Sequence, residues 1–332
     1  MKLFLLMSKK IEIGIIGGAG YVAGELIRIL SNHPNAEIKY VLSKSQHGQL
    51  VSSKHSDLEG DCFLKFTDAW DAAVDVIFLC GGHQQSKAFL SENEVSSEIK
   101  IIDLSQDFRL GDNKKSFERD FVYGLSEHNR EKIKTTNSLA NPGCFATAIA
   151  LSLLPVIELV KDDLHIHAIT GSTGSGQSLS PAVNFNWRNN NVSVYKAFSH
   201  QHLDEINETL KDACREFNSE VNFIPVRGNF TRGIFTSIYF KSSLSEEEIT
   251  ARFKTRYKND PFVIVTETSP DLKKVINTNK IFIYPSKHGN KVLIVSVIDN
   301  MIKGASGQTV QNMNLMFGIE ESAGLKLKSV AF

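Results

Sequence analysis

Short β-branched, apolar runs recur along the first 150 residues, spaced by stretches of helical character. Ile11 to Ile16, Ala36 to Leu42, Val74 to Leu79 and Ile99 to Leu104 read as buried strands. Glu25 to Leu30 and residues 83–92 read as helices between them. Strands alternating with helices predict an α/β Rossmann-type, doubly wound parallel sheet. From about residue 163 the texture changes. Phe230 to Phe240, Lys280 to Pro285 and Asn290 to Ile298 are longer strand-like runs, separated by helical stretches near 200–217 and 245–258. They predict an α+β domain with a mostly antiparallel sheet, a kind of sheet that often packs against its copy in a dimer. The last run, Gly304 to Phe317, carries Ala305, Val310, Met313 and Phe317 at helical spacing and is expected to return to the first domain. The expected division is therefore a discontinuous first domain, residues 8–143 with 304–332, and a second domain, residues 144–303.

The first strand runs into Gly17-Gly18-Ala19-Gly20-Tyr21-Val22-Ala23-Gly24 and then a helix. Gly17, Gly20 and Ala23 fit a G-x-x-G-x-x-A spacing, in which the turn lays a pyrophosphate on the helix N-terminus and the small third residue lets helix approach strand. Residues 17–22 are thus the candidate dinucleotide contacts. The end of the second strand decides which dinucleotide. An acid there would hold a ribose 2′-hydroxyl, whereas Ser43-Lys44-Ser45 suits a 2′-phosphate, and no acid occurs between Ile38 and His55. Ser43 and Lys44 therefore point to NADP(H), and the first domain reads as its binding domain.

Asn141-Pro142-Gly143-Cys144-Phe145-Ala146-Thr147-Ala148 places a thiol where a tight turn enters an apolar helical run. In the first helical turn the free N–H groups and the dipole are expected to favour thiolate over thiol. A nicotinamide site with an activated cysteine implies thioester chemistry, since an acyl group on sulfur accepts hydride far more readily than a carboxylate does. Ser199-His200-Gln201-His202-Leu203-Asp204-Glu205 supplies the base. His202 and Glu205 are three apart and share a helical face. Glu205 is expected to orient the imidazole and raise its pKa, so that His202 pairs with the Cys144 thiolate, while His200 positions substrate. No further ligands accompany the H-x-H pair at metal spacing, so no metal is expected. His165-Ile166-His167 alternates on a strand and is structural.

An anionic substrate needs cations. Arg109 follows the strand ending at Leu104, at the carboxyl edge where open α/β sheets bind ligands, and is the first phosphate candidate; Arg232 is the second. The 37 basic and 37 acidic residues cancel, which gives no electrostatic support for binding nucleic acid or a membrane surface. Four scattered cysteines without a C-x-x-C pair suit a reducing cytoplasm. Met1 to Met7 is too short for a signal peptide, and Met7 is an alternative start to Met1. No run reaches the ~20 apolar residues of a membrane span.

The chain resembles the N-acetyl-gamma-glutamyl-phosphate reductases of arginine biosynthesis. The resemblance rests on Leu139 to Pro155 and extends, in order, through Ser105 to Leu110, Val122 to Leu125, Gly171 to Gly176, His200 to Glu205, and Asp299-Asn300 to Gly318. It implies NADPH, an acyl phosphate substrate, inorganic phosphate as product, Cys144 as nucleophile and a histidine of the H-x-H-x-x-E segment as acid/base. It also implies Asn300 at the cofactor, Asn141 at the substrate, and a homodimer or homotetramer. Gln106, Ala23 and the segment Arg227 to Arg232 depart from the family pattern. Acetyl and succinyl remain alternatives for the N-acyl group. Aspartate-semialdehyde dehydrogenase is the nearest rival, similar in fold, cofactor and mechanism, and the Pro142-Gly143-Cys144-Phe145 context favours the reductases.

Overall fold

A computed structural model describes residues 9–330; the alternative starts at Met1 and Met7 lie outside them. The first sheet is built from β1 (Ile11–Ile16), β2 (Ala36–Leu42), β3 (Phe66–Thr67), β4 (Val76–Leu79) and β5 (Lys100–Asp103), with β8 (Val122–Tyr123) and β9 (Ser138–Ala140) beyond them. A small hairpin, β6 (Lys115–Ser116) and β7 (Arg119–Asp120), stands apart. The order is β3-β2-β1-β4-β5-β9-β8 and every pairing is parallel. The chain leaves β1 in one direction for β2 and in the other for β4, so the crevice at their carboxyl ends is the topological switch point. Helices α1 (Tyr21–Leu30), α2 (Gln85–Glu92) and α3 (Ser126–Thr135) complete this layer.

Helix α4 (Cys144–Leu153) leads into the second sheet, of order β11-β12-β10-β13-β16-β15-β14. Its strands are β10 (Leu164–Thr170), β11 (Ser193–Val194), β12 (Val221–Arg227), β13 (Ile234–Lys241), β14 (Val263–Val265), β15 (Ile281–His288) and β16 (Lys291–Ile298). Two pairings are parallel, β10 with β12 and β14 with β15, and the other four are antiparallel. Strand β12 is missing from the sequence expectation because Pro225, which lacks a ladder donor, interrupts its pattern. Alternate residues Ile166, Ala168, Ile234, Ile238, Ile281, Ile283 and Ile294 join Phe145, Ile149 and Leu153 of α4 in one core. Helices α5 (Phe185–Arg188), α6 (His202–Ala213) and α7 (Glu246–Arg256) lie in this half.

The chain then returns. A π-helical turn, Ile302–Ser306, precedes α8 (Gly307–Met316), whose Val310 and Met313 are buried with Ile13, Leu26 and Ile27 of the first layer. The turn is fixed from inside by Lys303, fully buried, whose ammonium meets the Glu127 carboxylate at 2.6 Å. No helix among the described residues is long and apolar enough to cross a membrane.

Candidate active site

A cleft of about 510 Å³ opens at the switch point, lined by Gly17, Ala19 and Gly20 after β1, Ser43, Lys44 and Ser45 after β2, and Cys80 and Gly81 after β4. Gly17 has φ +80°, and a Cβ there would stand 2.7 Å from the Gly81 backbone, so the two turns meet only because residue 17 is glycine. Gly20 caps α1, and a Cβ on it would meet nothing within 4 Å. That combination of exposed helix N-terminus, open space and a lysine with two serines fits a dinucleotide carrying an extra phosphate. Gly18 instead packs under Val41 and offers its carbonyl to His55 Nε2 at 2.8 Å. Tyr21 faces a neighbouring crevice beside Arg232, and the Val22 carbonyl accepts Ser306 Oγ at 2.8 Å.

The floor of this cleft connects to the cysteine. Asp103, at the end of β5, accepts Ser86 Oγ at 2.6 Å from the cleft wall, and its carbonyl accepts Asn141 N at 2.7 Å. Burial pushes the Asp103 carboxyl up to about 6 against the pull of Ser86 and Ser105. Cys144 then starts α4, with Gly143 as its extended cap. Gly304, in the π-helical turn, lies against it: a Cβ at Gly304 would come within 2.7 Å of Cys144 Cβ.

Glu205, in the first turn of α6, organises the other side. Its Oε2 accepts Gly143 N and Tyr123 Oη, both at 2.9 Å, and its Oε1 accepts Arg109 Nη1 at 2.9 Å. Burial alone would raise this carboxyl, but Arg109, His202 and the two other donors outweigh it and hold it below its ordinary value. The His202 ring sits over Gly143, where a Cβ would be 2.4 Å from Nε2, and Nε2 is 3.9 Å from Glu205 Oε1.

Cys144, Gly143, Glu205 and His202 are thus assembled, but not in the expected charge state. Burial pushes the Cys144 thiol up to about 11, overriding the Phe145 N–H and Arg109. Burial likewise brings His202 down to about 4, with Glu205 opposing it and Arg109, His83 and Lys196 assisting. Burial thus favours the neutral thiol and the neutral imidazole, against the thiolate and imidazolium expected from the helix dipole and the Glu205 spacing. Desolvation penalises both charges more than those local terms favour them.

Other expected site residues have different partners. His200 is buried edge-on among Phe145, Tyr195 and Phe223, and its Nδ1 accepts His202 N at 3.1 Å, so it satisfies the first backbone N–H of α6. Arg109 is committed to Glu205 and the Leu104 carbonyl. Arg232 bridges Glu25 and Asp299. Asn141 joins its loop to Ala305 O and to Asn312 Nδ2. Asn300 accepts Gly233 N at 2.6 Å and donates to Thr173 Oγ1 at 3.0 Å, holding the 171–176 loop. These long polar side chains are spent on tertiary contacts that single-chain spacing does not reveal. Sequence reasoning missed Tyr123, His83 and Lys196. Only Lys196 carries a backbone sign of strain, φ +45°, a conformation that clusters at functional sites.

Residues 12–136 match the semialdehyde dehydrogenase NAD-binding domain, and residues 144–300 match the semialdehyde dehydrogenase dimerisation domain. The N-acetyl-gamma-glutamyl-phosphate reductase of Flavobacterium johnsoniae is 54% identical over 324 residues, 97% of this chain and 100% of that one. The chain belongs to the N-acetyl-gamma-glutamyl-phosphate reductase family. The Bacteroides thetaiotaomicron member is 49% identical over 97% of this chain and 100% of its own. Among solved structures, aspartate semialdehyde dehydrogenase II of Vibrio cholerae, complexed with ASA, superposes with a TM-score of 0.73 at 15% identity, covering 94% of this chain and 99% of that one. The Candida albicans aspartate semialdehyde dehydrogenase with NADP gives 0.67 at 13%, over 92% and 98% of the two chains. At that identity the shared property is the fold.

Proposed function

We propose that this reductase converts N-acetyl-glutamyl 5-phosphate to N-acetyl-glutamate 5-semialdehyde and inorganic phosphate, with NADPH as reductant and Cys144 as nucleophile. The observation that carries this reading is the cysteine at the start of α4, tied through Gly143 N to a carboxylate that also faces His202, beside a dinucleotide cleft. The nucleotide-binding unit is taken as residues 8–143 with 304–332, and the catalytic unit as 144–303.

The Cys144 sulfur bonds to the acyl carbon as the carbon–oxygen bond to phosphate breaks, and phosphate leaves with that electron pair. The thiol proton passes to neutral His202, whose depressed pKa makes it a willing donor afterwards. Glu205 steadies the imidazolium formed during this transfer and itself does not change protonation. Gly17, Ala19, Gly20, Ser43 and Lys44 would hold the NADPH, which when bound supplies the hydride. His202 then protonates the substrate oxygen, and the resulting hydroxyl returns its proton to sulfur as the carbon–sulfur bond breaks and the aldehyde departs. The thiol and His202 are restored, and the released phosphate takes its proton from water.

A homodimer or homotetramer is supported by the name of the second matched domain and by exposed Leu179, Phe185, Trp187, Val192, Val194 and Phe198, all within one stretch. A cytoplasmic setting suits four free cysteines. The test is Cys144→Ser. It should bind NADPH as wild type does, by fluorescence titration, yet lose turnover of N-acetyl-glutamyl phosphate; activity within about tenfold of wild type ends the thioester reading.

A further inference from the structure

Arg227, the last residue of β12, is a cation with no acid of its own. Its Cζ lies 4.6 Å from the centroid of the Tyr195 ring, its Nε is buried with no hydrogen-bond partner, and among the described residues no carboxylate pairs with it. The neighbouring cation is already occupied. Arg188 is buried and spends its guanidinium on the carbonyls of Ala182, Asn191 and Arg227 and on Ser193 Oγ. Two guanidinium groups therefore share one corner of the sheet with no internal anion, an arrangement that is costly unless a ligand completes it.

The corner is next to the nucleophile. The Tyr195 ring meets His200 edge-on at 5.7 Å between centroids, His200 meets Phe145, the residue after Cys144, at 5.3 Å, and burial pushes the phenol's ionisation up. Strand register sets Arg227 opposite Thr170, and Gly228 N donates to the Thr170 carbonyl at 2.9 Å, immediately before the 171–176 loop. The segment that carries Tyr195 is held in register by Tyr195 N to Pro225 O at 3.1 Å and Phe198 N to Phe223 O at 3.0 Å. It pays for this with left-handed backbone at Lys196 and at Phe198, φ +45° and +58°. The two left-handed residues flank the turn after Tyr195, and the strand hydrogen bonds hold its ring in place as a platform for the guanidinium.

We propose that Arg227, stacked on Tyr195, is a specificity-determining residue that grips a carboxylate of the acyl phosphate substrate. The proposal rests on the reductase reading above and deepens it. A planar guanidinium fork matches a carboxylate in bidentate fashion, which an ammonium does not. The substrate carries such a group as its α-carboxylate, and a dicarboxylic N-acyl group such as succinyl carries a second; both present the same chemistry to Arg227.

Steady-state kinetics of Arg227→Gln and Arg227→Lys with N-acetyl- and N-succinyl-glutamyl phosphate test it, with NADPH titration as a measure of an intact cofactor site. Arg227→Gln should raise KM about 10- to 100-fold while kcat changes far less, the pattern of a lost binding contact. Arg227→Lys, which keeps the charge and guards against a Gln variant that fails to fold, should recover part of that loss. A rise with both substrates assigns the α-carboxylate, and a rise with the succinyl substrate alone assigns the acyl carboxylate. KM unmoved for both substrates in both variants overturns the Arg227 assignment alone. Wild-type protein that oxidises NADPH with neither substrate overturns the reductase reading, and this inference with it.

Discussion

Gly143 N donates to Glu205 Oε2 at 2.9 Å, so the turn that presents the nucleophile hangs from the helix that presents the base. The same carboxylate neutralises Arg109, which is almost wholly buried. Glu205→Gln should therefore cost about 3–5 kcal/mol of stability at neutral pH, the loss usual when one partner of a buried pair is removed. The pH dependence has a definite sign. Because the Glu205 carboxyl is held below its ordinary 4.5, its contribution is present above that pH and is lost as pH falls through the lower folded value. Urea unfolding at about pH 7 and about pH 4 should show wild type losing stability on acidification and the variant losing less; equal losses would remove Glu205 from this role.

Cys144 alkylation reads the resting charge state. With the thiol pushed up to about 11, the thiolate fraction grows about tenfold per pH unit across the neutral and mildly alkaline range. Iodoacetamide labelling of Cys144 should climb steadily with pH up to about pH 10. A plateau reached below about pH 7 would show the preformed thiolate–imidazolium pair instead.

The two histidines should separate cleanly. His202→Asn is expected to lower kcat by about 10²–10⁴, the usual effect of losing a general acid/base. His200→Asn removes an aromatic-cage member and the acceptor for His202 N, so its effect should be a stability loss of about 1–3 kcal/mol with near-normal KM. Thermal melts and kinetics on both proteins decide. A kcat collapse in the His200 variant without a fall in melting temperature would exchange the assignments.

Local order was legible in the sequence, and long-range partnership was not. The glycine turn of residues 17–20 and the start of α4 at Cys144 follow from neighbours a few positions away, and both stand as read. Glu205 was recognised only through His202, three residues off. Its other partners are Gly143, Tyr123 and Arg109, which lie 62, 82 and 96 residues away. Arg109 was placed at the correct sheet edge, yet that distant carboxylate claimed it. Cys144 and His202 were read from dipole and spacing, both local, whereas their protonation is governed by burial, which belongs to the assembled core. Arg227 was noticed as unusual but had no strand to stand on until Pro225 was accommodated in β12.

Lys44 tests the cofactor assignment, because the cleft at the end of β2 offers Ser43, Lys44 and Ser45 and no acid from that strand end. Among the described residues no side-chain hydrogen bond or ion pair takes this lysine: it sits at the start of a single 3-10 turn and is exposed, so its ammonium is available to a 2′-phosphate. A charge-assisted hydrogen bond of that kind is worth about 1.5–3 kcal/mol, and reversing the charge adds repulsion to its loss. Lys44→Glu should then weaken NADPH by about 10- to 150-fold while leaving NADH within a few-fold of its wild-type affinity. Because Lys44 is exposed and outside the hydrophobic cores, the variant should fold normally, and fluorescence titration with the two dinucleotides isolates the contact. Selectivity that survives the substitution would move the 2′-phosphate contact from Lys44 to the Ser43 and Ser45 hydroxyls, and Ser43→Ala with Ser45→Ala should then abolish it.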